Sequence, residues 1–148
     1  MLQLSKKVEY GLIALRHMAM RPLGQLFTAK ELAQEYEIPY ELLAKVLQKL
    51  ARSGIVHSMQ GVKGGYALAK PPADVCLKDL VEILEGPLNL VDCLGDPKRC
   101  ERSPVCVTRE IWNDVSQAIC KIFSSITLED MVRRKKEKAG AVAPMYEI

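Results

Sequence analysis

The chain has 148 residues, of which 49% are hydrophobic and 5% aromatic, which suits one compact core with an appendage rather than two full domains. No apolar run approaches the roughly 20 residues that a membrane helix needs, and the charged start lacks the apolar segment of a secretory signal. We therefore expect a soluble, cytoplasmic protein with reduced cysteines, which argues against a disulfide framework.

The net charge of +3 is unevenly distributed along the sequence. Residues 1–70 hold ten Lys and Arg against five Glu, residues 71–132 hold six against eleven acidic residues, and residues 133–148 hold five against two. A basic first half suits a polyanionic partner, because Lys and Arg displace condensed counterions from phosphates. Charge alone fits a solvated surface equally well.

The first part of the chain is predicted to form three helices. Ser5 is placed to cap the first, whose apolar stripe ends at Ala19, before the breakers Pro22 and Gly24. Thr28 and Glu31 have the spacing of a capping box at the start of a short second helix. The third helix is predicted over residues 40–53 and ends at a glycine. Its buried face is predicted to hold Leu43, Val46, Leu47 and Leu50.

Two β-like runs follow, and the six residues between them include Gly61, Gly64 and Gly65. Glycines at these positions permit the positive φ angles of a tight hairpin. A helix-turn-helix at about residues 28–53 followed by a hairpin at 55–69 predicts a winged helix-turn-helix. We expect residues 1–72 to form this DNA-binding domain, within a mainly α fold that has a small β-hairpin wing.

Eight polar residues of this domain are predicted to contact DNA. The second helix of a helix-turn-helix enters the major groove, the N-terminus of the first can bind phosphate, and a glycine-rich wing approaches DNA closely. The predicted contacts are Thr28, Lys30, Tyr40, Lys45, Lys49, Ser58, Gln60 and Lys63. Winged helices also serve as protein-interaction modules, so the pattern leaves that alternative open.

The second half of the chain is predicted to contain a connecting helix at 73–90, a cysteine loop at 91–107, and a long helix with a short final helix at 108–132. Thr127 and Asp130 suit the cap of the final helix. Residues 133–148 are basic and predicted to be disordered. Trp112, Ile119 and Ile122 lie on an apolar face of the long helix, which we expect to dimerise two copies because operators are usually paired half-sites.

Three of the five cysteines, Cys93, Cys100 and Cys106, crowd into fourteen residues of a polar loop. Such thiols can bind zinc, hold an iron–sulfur cluster or act as redox groups. The closely spaced pairs of a structural zinc site are missing, which favours a cluster with a fourth ligand from elsewhere. Cys76 and Cys120 are expected to pack in the core. We find no pairing of nucleophile and base and therefore expect no enzyme.

Over residues 2–132 the sequence resembles the Rrf2 superfamily of bacterial transcription regulators, in particular its iron–sulfur members of the IscR, NsrR and RirA type. The resemblance rests on Leu4-Ser5-Lys6 with Tyr10, on 42–50 leading into Gly54-Ile55-Val56, on Ser58-Met-Gln-Gly61-Val-Lys-Gly64-Gly65-Tyr66-Ala-Leu68, on the three cysteines, and on Trp112 and Ile126-Thr127-Leu128. It implies a homodimeric regulator whose cluster, 2Fe-2S or 4Fe-4S, is held by Cys93, Cys100 and Cys106. Cluster state would change DNA binding in response to iron, cluster supply, oxidants or nitric oxide.

The resemblance also bears on the fourth cluster ligand. Where IscR supplies a histidine three residues after the last cysteine, this sequence has Arg109, and a guanidinium is a poor iron ligand. NsrR-like relatives use an acidic residue from the partner subunit, and Glu9 has the matching position. Glu9 is thus a hypothesis for the fourth ligand, with a surface carboxylate as the alternative.

Overall fold

The computed structural model describes residues 3–142, without the side chains of residues 141 and 142. Within this range the chain is mainly α-helical with one two-stranded antiparallel hairpin, which confirms the predicted fold class. The elements are α1 (Lys6–Ala19), α2 (Ala29–Glu35), α3 (Tyr40–Arg52), β1 (Val56–Met59), β2 (Gly65–Leu68), α4 (Leu77–Glu85), α5 (Asp92–Gly95), α6 (Val107–Ser125) and α7 (Leu128–Val142), with single 3₁₀ turns at Pro72–Asp74, Pro97–Arg99 and Ser103–Val105.

The start of α2 has the predicted capping box. The Thr28 hydroxyl oxygen accepts a hydrogen bond from the Glu31 backbone N–H at 3.1 Å, and the Glu31 carboxylate accepts one from the Thr28 backbone N–H at 2.9 Å. These two bonds satisfy backbone donors that the first turn of a helix leaves unpaired. The same backbone hydrogen bond holds the pKa of Glu31 below its usual value.

The wing is tied to the chain that precedes α2. β1 and β2 pair from Val56 with Leu68 to Met59 with Gly65. Phe27 exchanges two further backbone hydrogen bonds with Tyr66, at 2.8 and 2.7 Å. Gly65 has φ +148°, and a Cβ added there would lie 2.7 Å from the Phe27 carbonyl oxygen. Only glycine fits this close backbone approach.

The core lies between α1, α3 and α4. Leu15, Leu43, Leu47 and Leu50 are fully buried, and Leu80 of α4 packs with them. Gly11 of α1 lets α4 approach closely, because a Cβ there would meet the Leu84 side chain at 2.9 Å. One face of α3 is therefore packed against two helices of the same chain, α1 and α4.

By contrast, α6 is 19 residues long and buries only Ser116. Its apolar side chains Ile111, Trp112, Val115 and Ile122 are 53%, 40%, 39% and 59% exposed. The helix contacts α4 and α5, and its apolar face is left open in the single chain.

The end of the chain differs from the prediction of a short final helix and a disordered tail from residue 133. Thr127 and Asp130 form the expected cap, with bonds of 2.9 and 3.1 Å, but α7 continues to Val142. The charge run forms a helix because its Arg, Lys, Glu and Ala residues favour one. Arg133 also pairs with Asp130 at 2.7 Å, and Met131 packs on the core. Residues 143–148 of the predicted tail lie outside the described range.

None of the helices in residues 3–142 is both long enough and apolar enough to cross a membrane.

Candidate DNA interface and cysteine site

The outer face of α3 is polar and exposed. Lys45, Gln48 and Arg52 lie opposite the buried leucines, and Tyr40 at the start of the helix is 55% exposed. A helix with one buried apolar face and one exposed polar face presents the latter to whatever binds the domain. Arg52 belongs to this exposed face and is not among the eight contacts predicted from the sequence.

Lys49 lies at the edge of this face nearest to α4. Its ammonium group donates a hydrogen bond to the Leu84 carbonyl oxygen at 3.4 Å, near the C-terminal end of α4. A cation there also interacts favourably with the helix dipole. Lys49 therefore links α3 to α4, a contact that sequence spacing could not reveal.

The first turn of α2 places Thr28 and Lys30 beside the Glu31 carboxylate. The Thr28 hydroxyl accepts a bond from the Glu31 backbone, which leaves its O–H free to donate to a phosphate. The negative charge of Glu31 at the same helix end opposes anion binding. Lys30 is exposed and offsets that charge.

The predicted wing contacts are all exposed. Ser58 and Gln60 lie on and just after β1, and Lys63 lies at the tip of the hairpin. Among the residues that the structure describes, Lys30, Lys45, Arg52 and Lys63 make no ion pair. Cations left without a protein partner on α2, α3 and the wing suit a polyanion.

The cysteine loop is less irregular than predicted, since it contains α5 and two 3₁₀ turns. Cys93 lies in α5, Cys100 follows the 3₁₀ turn at Pro97–Arg99, and Cys106 immediately precedes α6 without a side-chain capping bond; all three are free and half-buried. Cys100 and Cys106 line one open pocket of about 760 Å³ together with Arg109. Cys93 is not part of its lining.

Arg109 connects the parts of this loop. Its Nε donates a hydrogen bond to the Cys93 carbonyl oxygen at 3.4 Å, while its side chain lines the pocket of Cys100 and Cys106. Arg109 thus lies at the predicted site as a cation and not as an iron ligand.

The thiolates of these three cysteines are suitable ligands for iron, but their side chains are not arranged around a common point. In the part of the chain that the structure covers, no three His, Cys, Asp or Glu side chains are placed to hold a metal ion. Cys93 is linked to the pocket of Cys100 and Cys106 through the hydrogen bond from Arg109 to its carbonyl oxygen.

The other predicted participants lie elsewhere. Glu9 is on α1, pairs with Lys6 at 2.6 Å, and is not among the residues that line the cysteine pocket of the same chain. Cys120 is a half-buried residue of α6, and burial raises the pKa of the Cys76 thiol at the start of α4.

A winged helix-turn-helix with a basic outer face is typical of DNA-binding transcription regulators. The chain belongs to the Rrf2 family, described as iron-dependent transcriptional regulators, whose sequence model matches residues 4–134. This confirms the resemblance that the sequence motifs indicated.

Solved structures of similar proteins include two regulators of known name. CymR, the global cysteine regulator of B. subtilis, is 30% identical with a TM-score of 0.72, over 90% of this chain and 98% of that one. IscR of T. potens is 28% identical with a TM-score of 0.72, over 98% of this chain and 95% of that one. A transcriptional regulator from Listeria innocua is 26% identical with a TM-score of 0.73, over 99% and 96%.

Proposed function

We propose that this Rrf2 regulator is a cytoplasmic homodimer whose binding to a double-stranded operator, as repressor or activator, depends on an iron–sulfur cluster held by Cys93, Cys100 and Cys106. The observation that carries the proposal is the pocket shared by Cys100, Cys106 and Arg109, together with the bond from Arg109 to Cys93. Arg109 thus contacts the segments that carry all three thiols. The similarity to T. potens IscR supports it.

DNA binding is assigned to the exposed residues of α2, α3 and the wing. The proposed contacts remain Thr28, Lys30, Tyr40, Lys45, Lys49, Ser58, Gln60 and Lys63. Replacing Lys45 or Lys63 with Ala should weaken binding and lower the salt dependence of the affinity by about one unit each, because each ammonium neutralises one phosphate. Lys136→Ala, a change of the same kind on α7, should leave the slope unchanged.

Dimerisation is assigned to the open apolar face of α6. Ile111, Val115 and Ile122 are each at least 39% exposed, and helical spacing puts them in one row. A second copy of the helix would bury the same row by two-fold symmetry.

The cysteine loop connects the end of α4 to the start of α6, so its rearrangement is expected to reach the recognition helix. Bound cluster would supply thiolate-ligated iron, whose state changes with oxidants or iron supply. The residues of the chain would carry the response: Cys106 immediately precedes α6, α6 packs on α4, and the Leu84 carbonyl of α4 accepts a hydrogen bond from Lys49 of α3. A coupling of roughly 1–3 kcal/mol would change DNA affinity between severalfold and a hundredfold.

We propose Glu9 of the partner subunit as the fourth ligand, because a carboxylate can bind iron and Arg109 cannot. An unchanged cluster spectrum in Glu9→Ala would rule this out.

A second candidate is a thiol-redox regulator without a cluster. The similarity to B. subtilis CymR and the presence of Cys100 and Cys106 in the lining of one pocket favour it. In that case oxidants would act on the thiols directly. A zinc-stabilised interaction module is the third possibility.

The deciding experiment is the absorption spectrum, with iron and sulfide assays, of protein purified without oxygen. We expect a brown protein with charge-transfer bands and equal iron and sulfide. Cys100→Ser should be colourless, whereas Cys120→Ser, a matched change on α6, should keep the cluster. A protein that stays colourless after reconstitution would contradict the cluster, and zinc content and reversible thiol oxidation would then separate the two alternatives.

A further inference from the structure

A second cavity lies between α1 and α7, away from the cysteine loop and from the exposed face of α3. It is an open groove of about 820 Å³, within the range of small-molecule sites. Its apolar lining comes from Leu12 and Ile13 of α1 and from Met131 of α7. We call it the α1–α7 groove.

The charged lining of the α1–α7 groove is mostly cationic. Arg16, Arg134, Lys135 and Lys138 line it, and none of them forms an ion pair with a residue that the structure describes. Four unpaired cations around an apolar floor attract a ligand with an anionic group and a hydrocarbon part.

The two carboxylates of the groove do not cancel this charge. Glu9 pairs with Lys6 at 2.6 Å and is the ligand proposed above for the partner subunit's cluster, and Glu137 lies 4.0 Å from Arg133, so both carboxylates face groups outside the lining. The lining cations therefore remain available to an added anion.

We propose that the α1–α7 groove binds a small amphipathic organic anion, such as a medium-chain carboxylate. The carboxylate would accept hydrogen bonds from Arg16 and Arg134, and the chain would cover Leu12, Ile13 and Met131. A purely inorganic anion would leave the apolar floor exposed to water, and an uncharged hydrocarbon would leave the four cations unpaired.

The position of the groove gives the ligand a route to DNA binding. α1 forms one wall of the groove and packs against the recognition helix, since a Cβ at Gly11 would lie 3.4 Å from a Val46 methyl group. A ligand that holds α1 against α7 thus acts on the helix that supports α3. Any change it makes in DNA affinity must be matched by an equal effect of DNA on ligand affinity.

The test is calorimetric titration of the full chain with decanoate, below its micelle concentration, and with decyltrimethylammonium as the cation of equal chain length. We expect decanoate to bind at least about tenfold more tightly than the cation, because only the anion pairs with the arginines. Arg16→Gln and Arg134→Gln should each weaken decanoate about tenfold. Lys136→Gln, on α7 but outside the lining, should change it less than about twofold.

Arg134 is exposed, so its variant tests the site even if the Arg16 variant fails to fold. Equal binding of the cation, an unchanged affinity in Arg134→Gln, or no binding of decanoate at about 1 mM would overturn the proposal. Sedimentation of the same variants tests whether a second copy of the chain occupies the groove instead. A changed oligomeric state in Arg134→Gln would overturn the ligand proposal and make the groove an interface between copies.

Discussion

The two halves of the molecule differ in how much of their apolar surface a single chain can bury. In the winged helix, α3 buries Leu43, Val46, Leu47 and Leu50 against α1 and α4. In α6, a longer helix, the only buried residue is Ser116. The core of the winged helix is therefore complete within one chain, whereas α6 leaves most of its apolar side chains exposed, as the proposed dimer requires.

Leu47→Ala should give the largest effect and would sharpen this contrast. Leu47 is fully buried, so the substitution removes apolar contacts and leaves a cavity, which should lower the free energy of unfolding by about 2–5 kcal/mol. Chemical denaturation at two protein concentrations checks it, because a core within one chain gives a loss independent of concentration. Leu23→Ala, the same change at a residue 58% exposed, should cost less than about 0.5 kcal/mol.

Ile122→Glu tests the other half. If two α6 helices pair, the substitution places a carboxylate on both sides of the interface and should weaken the dimer about a hundredfold, or roughly 3 kcal/mol. Sedimentation equilibrium measures this loss. Lys121→Glu changes the neighbouring residue outside the apolar row and should leave the dimer nearly intact. A wild-type dissociation constant for Ile122→Glu would mean that α6 is covered in some other way.

Gly65→Ala tests how much the close contact between the wing and Phe27 contributes to the stability of the domain. A Cβ at this position would lie 2.7 Å from the Phe27 carbonyl oxygen, and the positive φ is strained for alanine. We expect a loss of about 1–3 kcal/mol in stability and weaker DNA binding. Gly61→Ala also sits at positive φ, +113°, but has nothing within 4 Å of its added Cβ. Gly61→Ala should therefore lower the free energy of unfolding by less than Gly65→Ala does, because it makes no close contact with Phe27.

The sequence predicts the elements that depend on local interactions. The capping boxes at Thr28 and Thr127, the apolar face of α3 and the glycines of the hairpin all act within a few residues, so spacing alone reveals them. Phe27 joining Tyr66, Lys49 reaching Leu84 and Arg109 reaching Cys93 connect residues far apart in sequence. Nothing in the local pattern indicates such contacts.

The end of the chain shows the limit of composition as a guide. A run of Arg and Lys after residue 132 suggested a disordered tail, yet α7 continues to Val142. Helix propensity, the pair of Arg133 with Asp130 and the packing of Met131 outweigh the repulsion among exposed cations. The candidate site was likewise predicted only as three cysteines; the separate position of Cys93 depends on the fold of α5.

His17 gives the smallest expected effect and tests whether the first half is sensitive to pH. It is a buried residue of α1 whose Nδ1 lies 2.8 Å from the Tyr36 hydroxyl, and its ring packs edge-on against Phe27 at 4.8 Å. Burial lowers the pKa of His17, and Arg21, Lys135 and Arg16 add to the decrease while Glu35 opposes it.

Because the pKa of His17 is lower in the folded than in the unfolded state, the unfolded chain binds the proton more readily. The contribution of His17 to the free energy of unfolding is thus fully present above the pKa of the unfolded state, about 6.5. It declines as the pH falls from there toward the pKa of the folded state. We expect the wild-type melting temperature to fall more between pH 7.5 and 5.5 than that of His17→Asn. His57→Asn, at an exposed residue of β1, should keep the wild-type decline. If His17→Asn keeps it as well, the acid sensitivity of the winged helix arises from groups other than this buried imidazole.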